Sequence, residues 1–453
     1  MKHILRILCL VLLPCLAVAQ PAFHSVAVRP DGSLWTWGRN DNAQLGDGTT
    51  SNRRVPVRIT TASWLTAAAG YIHTMAVKAD GTLWGWGNNA YAQVGQNSVT
   101  QYNNPIQVGT ATTWRSVSTG NYHTAAIRTD GTLWVWGRNQ YGQAGNGSGA
   151  LYVNVAQLGA GSWQSASAGA DCTAAIKSDG TLWLWGNNMY GQIGDGTLVQ
   201  RNTPVQVGGP FTWQHVAVGY SHTVAVRADG TLWAWGGNGV GQLGDGTTVD
   251  RPTTVQIGTA TTWRGVAVGG NHTVAVRADG SLWAWGINTS GELGDGTTTN
   301  RTSPVQVGAG ATWLPAGISA GEGHTLALKT DGSLWAWGNN NWGQLGIPAY
   351  STVPLQIFGP NGPLAVARTA ADREFSLFPT VASGNEVHYA YTGPKPEADA
   401  CVEIFSLTGQ RLWRQALGGA TQGRIPVSEL APGWYVLRLQ TGNATRTVRF
   451  CRP

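Results

Sequence analysis

An all-β fold is predicted, a seven-bladed β-propeller followed by a small β-sandwich, and three observations predict it. The phrase D-G-[S/T]-L-W-x-W-G occurs seven times, starting at Asp31, Asp80, Asp130, Asp179, Asp229, Asp279 and Asp331, at spacings of 49, 50, 49, 50, 50 and 52 residues. Each copy sits among short alternating or β-branched runs, and no segment longer than a turn has helical periodicity. The composition is that of short strands and tight turns: 63 glycines and 23 tryptophans in 453 residues, with 11% charged residues against about a quarter in ordinary domains.

The unit is clearest from Thr262 onward and reads as four strands: W-x-x-V-x-V, H-T-V-A-V-R, S-L-W-A-W and P-V-Q-V. The Asp-Gly between the second and third strands predicts a two-residue hairpin turn with both central residues at positive φ. The G-x-L-G-D-G-T stretch supplies the loop before the fourth strand. One four-stranded sheet cannot cover both its faces, but neighbouring blades can, and a closed ring of them leaves no open end. In L-W-x-W-G both Trp rings share one face of the strand. The other face carries Leu and a mostly small residue: Thr36, Gly85, Val135, Leu184, Ala234, Ala284 and Ala336. Six more tryptophans open the first strand (Trp64, Trp114, Trp163, Trp213, Trp263 and Trp313), so 20 of the 23 stand at repeat positions. The first blade lacks this strand, because Phe23 begins the array at the second one. Residues 364–367, just after the last fourth strand at 354–357, are the candidate to close the ring.

The motifs G-x-x-H-T, D-G-x-L-W-x-W-G, N-x-Y-G-Q-L-G-D-G-T-T and P-V-Q-V resemble the regulator-of-chromosome-condensation repeat family over about residues 22–360. The resemblance is specific for fold and far less so for function. Its known members include a nucleotide exchange factor for the GTPase Ran, and a secreted bacterial inhibitor of β-lactamases is similar in fold. What it implies is recognition of another protein by one face of the ring.

The termini read differently. Lys2 and Arg6, an apolar run over 7–18 and Ala17-Val18-Ala19 form a signal peptide over 1–19, which leaves the mature chain starting at Gln20. Cys15 raises a lipoprotein signal as the alternative, with Pro14 where a small residue is expected. No other segment is apolar enough to span a bilayer. Of the formal charge of +6, Lys2 and Arg6 lie in the leader and the remaining +4 is spread along the chain without a Lys/Arg run, which argues against nucleic acid as a partner. Cys9 and Cys15 leave with the leader, and Cys172, Cys401 and Cys451 remain. Outside the cytoplasm Cys401 and Cys451 either pair or stay free.

The propeller is expected over 20–371 and the β-sandwich over 372–453, with strands near 402–407, 411–415, 434–440 and 445–450. F-S-L-F-P, V-E-I-F-S-L-T-G-Q-R and I-P-V-S-E-L-A-P-G-W-Y-V-L-R-L resemble the C-terminal sorting domain of type IX secretion cargo, carried by Phe375, Phe378, Pro379, Gly409, Leu430, Gly433 and Tyr435. That resemblance implies a bacterium of the Bacteroidota, export across both membranes and the type IX machinery as a partner. Phe378-Pro379-Thr380-Val381 departs from the usual Y-P-N-P, and Phe450-Cys451-Arg452-Pro453 lacks the usual basic end.

Ligand-binding candidates come from loop positions that vary between blades. In N-x-Φ-G-Q the third position is Asn42, Tyr91, Tyr141, Tyr190, Val240, Ser290 and Trp342, and Tyr91, Tyr141, Tyr190 and Trp342 are anchor types for a partner. Tyr71, Tyr122 and Tyr220, just before the repeat His, form a second set. His24, His73, His123, His222, His272 and His324 recur at one position, with Cys172 in the fourth blade. Spread around a circle, they are read as hydrogen-bonding a neighbouring turn in each blade, without a metal. Asp47, Asp195, Asp245 and Asp295 are read as turn formers, without the ligand spacing of a calcium loop. No nucleophile elbow, metalloprotease helix or phosphate loop is present, so neither catalytic residues nor a cofactor are expected. The expected function is a secreted or cell-surface protein that binds an extracellular protein or glycan. The alternatives are an extracellular lyase or hydrolase and, further off, a guanine nucleotide exchange factor.

Overall fold

The computed structural model describes residues 22–359, 362–363, 375–378, 386–391, 400–406, 410–417, 420, 422–431, 433–441 and 444–452. It divides into two units, Met1–Ala365 and Val366–Pro453. The boundary expected at 371/372 and the strand expected at 364–367 both lie outside the described residues. Among the described residues every regular element is a strand.

The first unit holds seven antiparallel sheets: one of three strands, five of four and one of five. Blade 2 represents the rest, with Trp64–Ala69, His73–Lys78, Leu83–Gly87 and Tyr102–Gln107 in sheet order. The Trp-initiated strands of neighbouring blades lie against one another and so ring the centre. The His-initiated strand is apolar or small on both faces and is buried along nearly its whole length, as a strand sandwiched between two blades must be. The fourth strand lies at the rim and is half exposed. Prolines sit in it, as in Arg201–Val207, because an edge strand can lack an N–H on its solvent side.

The hairpin between second and third strands differs from the expected turn. Only the glycine takes a positive φ, as at Gly81 (79°). Gly81 N donates to Lys78 O at 2.9 Å, and Lys78 N donates to Thr82 O at 2.9 Å. This is a type I turn closed by a glycine bulge. The aspartate has another use: Asp80 Oδ1 accepts from Thr82 N at 2.9 Å and from its hydroxyl at 2.6 Å. That hydroxyl in turn accepts from Trp84 Nε1 at 2.8 Å.

Blades pack large against small. The Leu face of blade 1 (Val26, Val28, Leu34) buries the Trp face of blade 2 (Trp64, Trp86). Within blade 2 the Trp64 ring meets Trp84 and Trp86 edge-on at 6.4 and 6.2 Å. The seventh blade packs on the first in the same way, with Leu326, Leu328, Leu334 and Ile357 against Ala27 and Trp37.

A hydrogen-bond relay from a histidine stitches six of the seven seams. His73 Nε2 lies 3.0 Å from Thr124 Oγ1 of the next blade. Thr124 donates its single proton to Gln93 O at 2.9 Å, so the imidazole must be the donor to Thr124, in the neutral Nε2–H form. Trp136 Nε1 donates to the same carbonyl at 2.9 Å. The histidines therefore reach the following blade rather than a turn. The relay also closes the ring: His324 Nε2 lies 3.0 Å from Ser25 Oγ, which donates to Gln344 O at 2.8 Å, as does Trp37 Nε1 at 2.8 Å. Burial drives the pKa of His24, His73, His123, His222 and His324 down to about 3, and that of His272 to about 4.

The second unit has a three-stranded sheet (Phe375–Phe378, Glu386–Tyr391, Gln422–Pro426) and a four-stranded sheet ordered Arg411–Ala416, Cys401–Ser406, Gly433–Thr441, Ala444–Arg452. Val387, Val402, Ile404, Ile425, Leu437 and Leu439 fill its core. The four expected strands are present to within two residues at each end, and the three-stranded sheet is additional. Cys401 is buried and free. Cys401 pairs in register with Gln440, whereas Cys451 pairs with Trp434, six positions along the same strand. At about 3.3 Å per residue that offset alone is about 20 Å, far beyond disulfide reach, so the considered Cys401–Cys451 bridge is excluded.

Candidate functional site

Two loops of every blade meet at one edge of the ring. One follows the glycine that ends the first strand (G-x-x-H), and the other follows W-G in the third. They are tied by backbone bonds: Arg39 N to Phe23 O at 3.1 Å, Asn88 N to Ile72 O at 2.9 Å, Arg138 N to Tyr122 O at 2.8 Å and Asn339 N to Gly323 O at 2.7 Å. The first loops are also bonded blade to blade, as in Tyr71 N to Gly120 O at 3.3 Å and, across the closing seam, Glu322 N to Ala22 O at 3.0 Å. This edge is a rigid rim around the channel mouth, and the residues it displays differ from blade to blade.

Five of the seven candidate aromatics converge there. Phe23 meets Tyr71 edge-on at 5.8 Å, Tyr71 meets Tyr122 at 5.9 Å, and Tyr122 meets Tyr91 at 5.4 Å. Two arginines bind the rings together from above. Arg39 lies 5.7, 5.9 and 5.2 Å from the Phe23, Tyr71 and Trp342 centroids. Arg138 lies 5.6, 5.5 and 5.4 Å from those of Tyr91, Tyr122 and Tyr141, all within cation–π range. The result is an arc running through blades 7, 1, 2 and 3. Trp342 is 37% exposed, and the other rings are partly buried.

The remaining two candidates stand apart. Tyr190 is 51% exposed and takes no part in these ring contacts. Tyr220 projects from blade 5, and the Asn121 side chain hydrogen-bonds to it. Burial pushes the Tyr122 hydroxyl above its ordinary range.

Sequence reasoning missed Phe23, Arg39, Arg138, Asp171 and Glu322. A signal was present in the position after W-G, which is Arg39, Asn88, Arg138, Asn187, Gly237, Ile287 and Asn339: two arginines stand among neutral residues. Each arginine has a carboxylate, Asp41 at 2.6 Å from Arg39 and Asp171 at 3.6 Å from Arg138. Burial raises the pKa of Asp171 despite Arg138.

The loop aspartates are engaged within the fold. Asp195 accepts from Thr197 N and Oγ1 at 3.0 and 2.8 Å and pairs with Arg201 at 2.6 Å. Asp47, Asp245 and Asp295 pair with Arg53, Arg251 and Arg301. The Asp195–Arg201 and Asp245–Arg251 pairs line open grooves of about 610 and 540 Å³ between blades 4 and 5 and between blades 5 and 6. The two grooves occupy equivalent places on successive blades. Among the described residues no three His, Cys, Asp or Glu side chains are grouped to hold a metal ion.

Comparison with known proteins agrees with this geometry. The model of the RCC1-like domain matches residues 6–317, and the regulator of chromosome condensation (RCC1) repeat matches 316–344 and 331–377. A Danio rerio protein, Protein RCC2 homolog, is 43% identical over 42 residues, 9% of this chain and 8% of that protein's length. Human WBSCR16 superposes with a TM-score of 0.66 at 23% identity, covering 72% of this chain and 95% of that one. Yeast RCC1 (Prp20) in its crystal structure with Kap60 superposes with a TM-score of 0.64 at 17% identity, covering 80% and 87%. Prp20p from Saccharomyces cerevisiae, described with its binding properties to Gsp1p and histones, gives 0.60 at 19% identity over 67% and 80%.

Proposed function

The chain belongs to the RCC1-like repeat family, and from that premise we propose that it is a binding protein, without chemistry of its own, that grips a protein partner with the channel-mouth rim. The observation that carries this reading is the arc Trp342–Arg39–Phe23–Tyr71–Tyr122–Tyr91–Arg138–Tyr141. Tyr, Trp and Arg dominate binding hot spots because they bring large area and directed polar contacts at low conformational cost. Here the rim already holds them in place, so little ordering is left for the partner to drive. The family's other structures support a binding scaffold, since yeast RCC1 (Prp20) is bound to Kap60 in one of them.

The same reading has the protein act outside the cell, secreted or at its surface. The apolar leader supports export, and the C-terminal pattern around Gly433 and Tyr435 supports passage through type IX machinery in a bacterium of the Bacteroidota. Among the described residues no helix is long and apolar enough to cross a membrane.

The test is capture of surface proteins and glycans by the full chain, by a Tyr71→Ala/Tyr122→Ala variant and by a Tyr190→Ala variant. A protein held by the first and third baits, and weakened at least tenfold by the second, is the expected result. Equal capture by all three would overturn the assignment of the rim, and capture of glycans alone would overturn the protein partner.

A further inference from the structure

A cation ends the second strand of every blade, and from blade 2 onward it lies over the outer Trp of its own third strand. Lys78 sits 3.4 Å from the Trp84 centroid and Arg277 4.1 Å from that of Trp283. Blade 5 adds a second ring. Two residues before the strand-opening Trp, the other blades carry Ala62, Thr112, Gly161, Thr261 and Ala311, but blade 5 carries Phe211. The Arg227 Cζ lies 3.7 Å from the Phe211 centroid and 3.6 Å from that of Trp233. One face of a planar guanidinium has no room for two rings at those distances, so the rings cover opposite faces.

The clamp is set before any ligand arrives. Trp233 Nε1 donates to Thr231 Oγ1 at 2.9 Å, and that hydroxyl donates to Asp229 Oδ1 at 2.6 Å, so the hairpin carboxylate is already engaged. The Arg227 guanidinium has no hydrogen bond or ion pair among the described residues, although the residue is only 7% exposed. A cation buried to that degree is ordinarily paired. Its Nε is enclosed, but its two terminal nitrogens are not. Arg227 lines the open groove of about 610 Å³ between blades 4 and 5, which gives those donors an approach from solvent. The other charges of the groove, Asp195 and Arg201, answer each other at 2.6 Å. One positive charge is left over.

We propose that the Arg227 guanidinium, held between Phe211 and Trp233, is a binding site for an acidic side chain of an extended protein segment lying in this groove. With both faces covered, only in-plane bonds from the terminal nitrogens remain, and that fork matches the two oxygens of a carboxylate. The charge count selects a carboxylate over a phosphate. A phosphate monoester would bring about 1.5 to 2 negative charges past Asp195, with no second free cation to meet them. An extended segment is selected by the wall of the groove. Val205, Gln206 and Val207 line it and belong to the outermost strand of blade 4, whose outer backbone edge is open to pairing. The site shares no residue with the channel-mouth arc and stands independently of the function proposed for that rim.

The test uses the full chain labelled with 4-fluorophenylalanine. The chain has seven phenylalanines, and Phe211→Leu assigns the Phe211 resonance by its loss. The probe is the blocked peptide acetyl-Gly-Ser-Glu-Ser-Gly-amide, compared with its glutamine counterpart. The acidic peptide should shift the Phe211 resonance saturably, and the glutamine peptide should leave it in place. Arg227→Lys should weaken binding at least tenfold while the fold is kept, since Lys78, Lys177 and Lys329 occupy the same place in other blades. No shift at about 50 mM acidic peptide, an equal shift with the glutamine peptide, or undiminished binding by Arg227→Lys would each overturn the proposal. Inorganic phosphate or sulfate acting at a lower concentration than the peptide would overturn the carboxylate, and glucuronate doing so would overturn the protein source. The Tyr71→Ala/Tyr122→Ala variant should respond as the unaltered chain does. A response lost there would place the peptide on the rim and overturn the Arg227 site.

Discussion

Phe358, in the fourth strand of the seventh blade, packs against Trp37 of the first blade at a centroid separation of 6.0 Å and an interplanar angle of 52°. It also meets Trp35 edge-on at 5.7 Å. In other blades this place belongs to the Trp that opens the first strand, as Trp64 lies against Trp84 and Trp86. Even the overlying cation is reproduced, Arg29 above Phe358 at 5.7 Å where Lys78 lies above Trp64 at 5.4 Å. Blade 1 has no such Trp, and its seventh neighbour supplies the ring instead. The equivalent of Phe358 in blade 4 is Gly208, where a Cβ would come within 2.4 Å of Trp213.

Phe358→Ala should therefore weaken ring closure. The cost expected for emptying a buried aromatic site is about 3–5 kcal/mol, read as a lower denaturant midpoint. Phe358→Leu should recover part of it. A loss below about 1 kcal/mol for the alanine variant would remove Phe358 from the closing seam.

The seam histidines predict acid lability. Their folded pKa values of about 3 to 4 lie below the value near 6.5 of the unfolded chain. The unfolded state thus binds more protons, and stability falls as pH drops below about 6.5. At about 1.4 kcal/mol per proton per pH unit, the six act together with a slope of up to about 8 kcal/mol per unit. The thermal midpoint should fall steeply between pH 6 and pH 4.5. A midpoint that stayed flat over that interval would contradict the neutral, buried assignment.

Blade 4 carries Cys172 where the others have His, so Thr223 donates to Gln192 O at 2.7 Å without receiving an imidazole N–H. Thr124→Val should accordingly cost more than Thr223→Val, by about the 1 kcal/mol of one buried hydrogen bond. The comparison is a matched pair of urea titrations, and equal losses would show that the imidazole contributes nothing to the seam.

Ala43 and Ala92 hold φ at 58° and 60°, where the other blades place glycine, as at Gly191 with 75°. The left-handed region costs an L-residue about 1–2 kcal/mol. Ala43→Gly and Ala92→Gly should each stabilise the ring by about 1 kcal/mol after the greater freedom of glycine in the unfolded chain is offset. Destabilisation by either substitution would mean that the methyl group makes packing contacts worth more than the strain.

The repeat made the propeller legible before any coordinates, because the 2-residue alternation, the Asp-Gly turns and the Trp positions are local signals written seven times. The number of blades, the large-against-small packing and the Tyr71, Tyr91, Tyr122, Tyr141 and Trp342 candidates followed from position within the repeat. What the sequence could not supply is adjacency between blades. That His73 reaches Thr124, that Phe358 replaces a missing Trp, and that Arg39 and Arg138 gather rings from three loops each are relations across about 50 residues or across the whole ring. Periodicity reports which face a residue shares with its own strand. Which neighbour covers that face, and which charges remain unanswered there, is decided only when the blades close on one another.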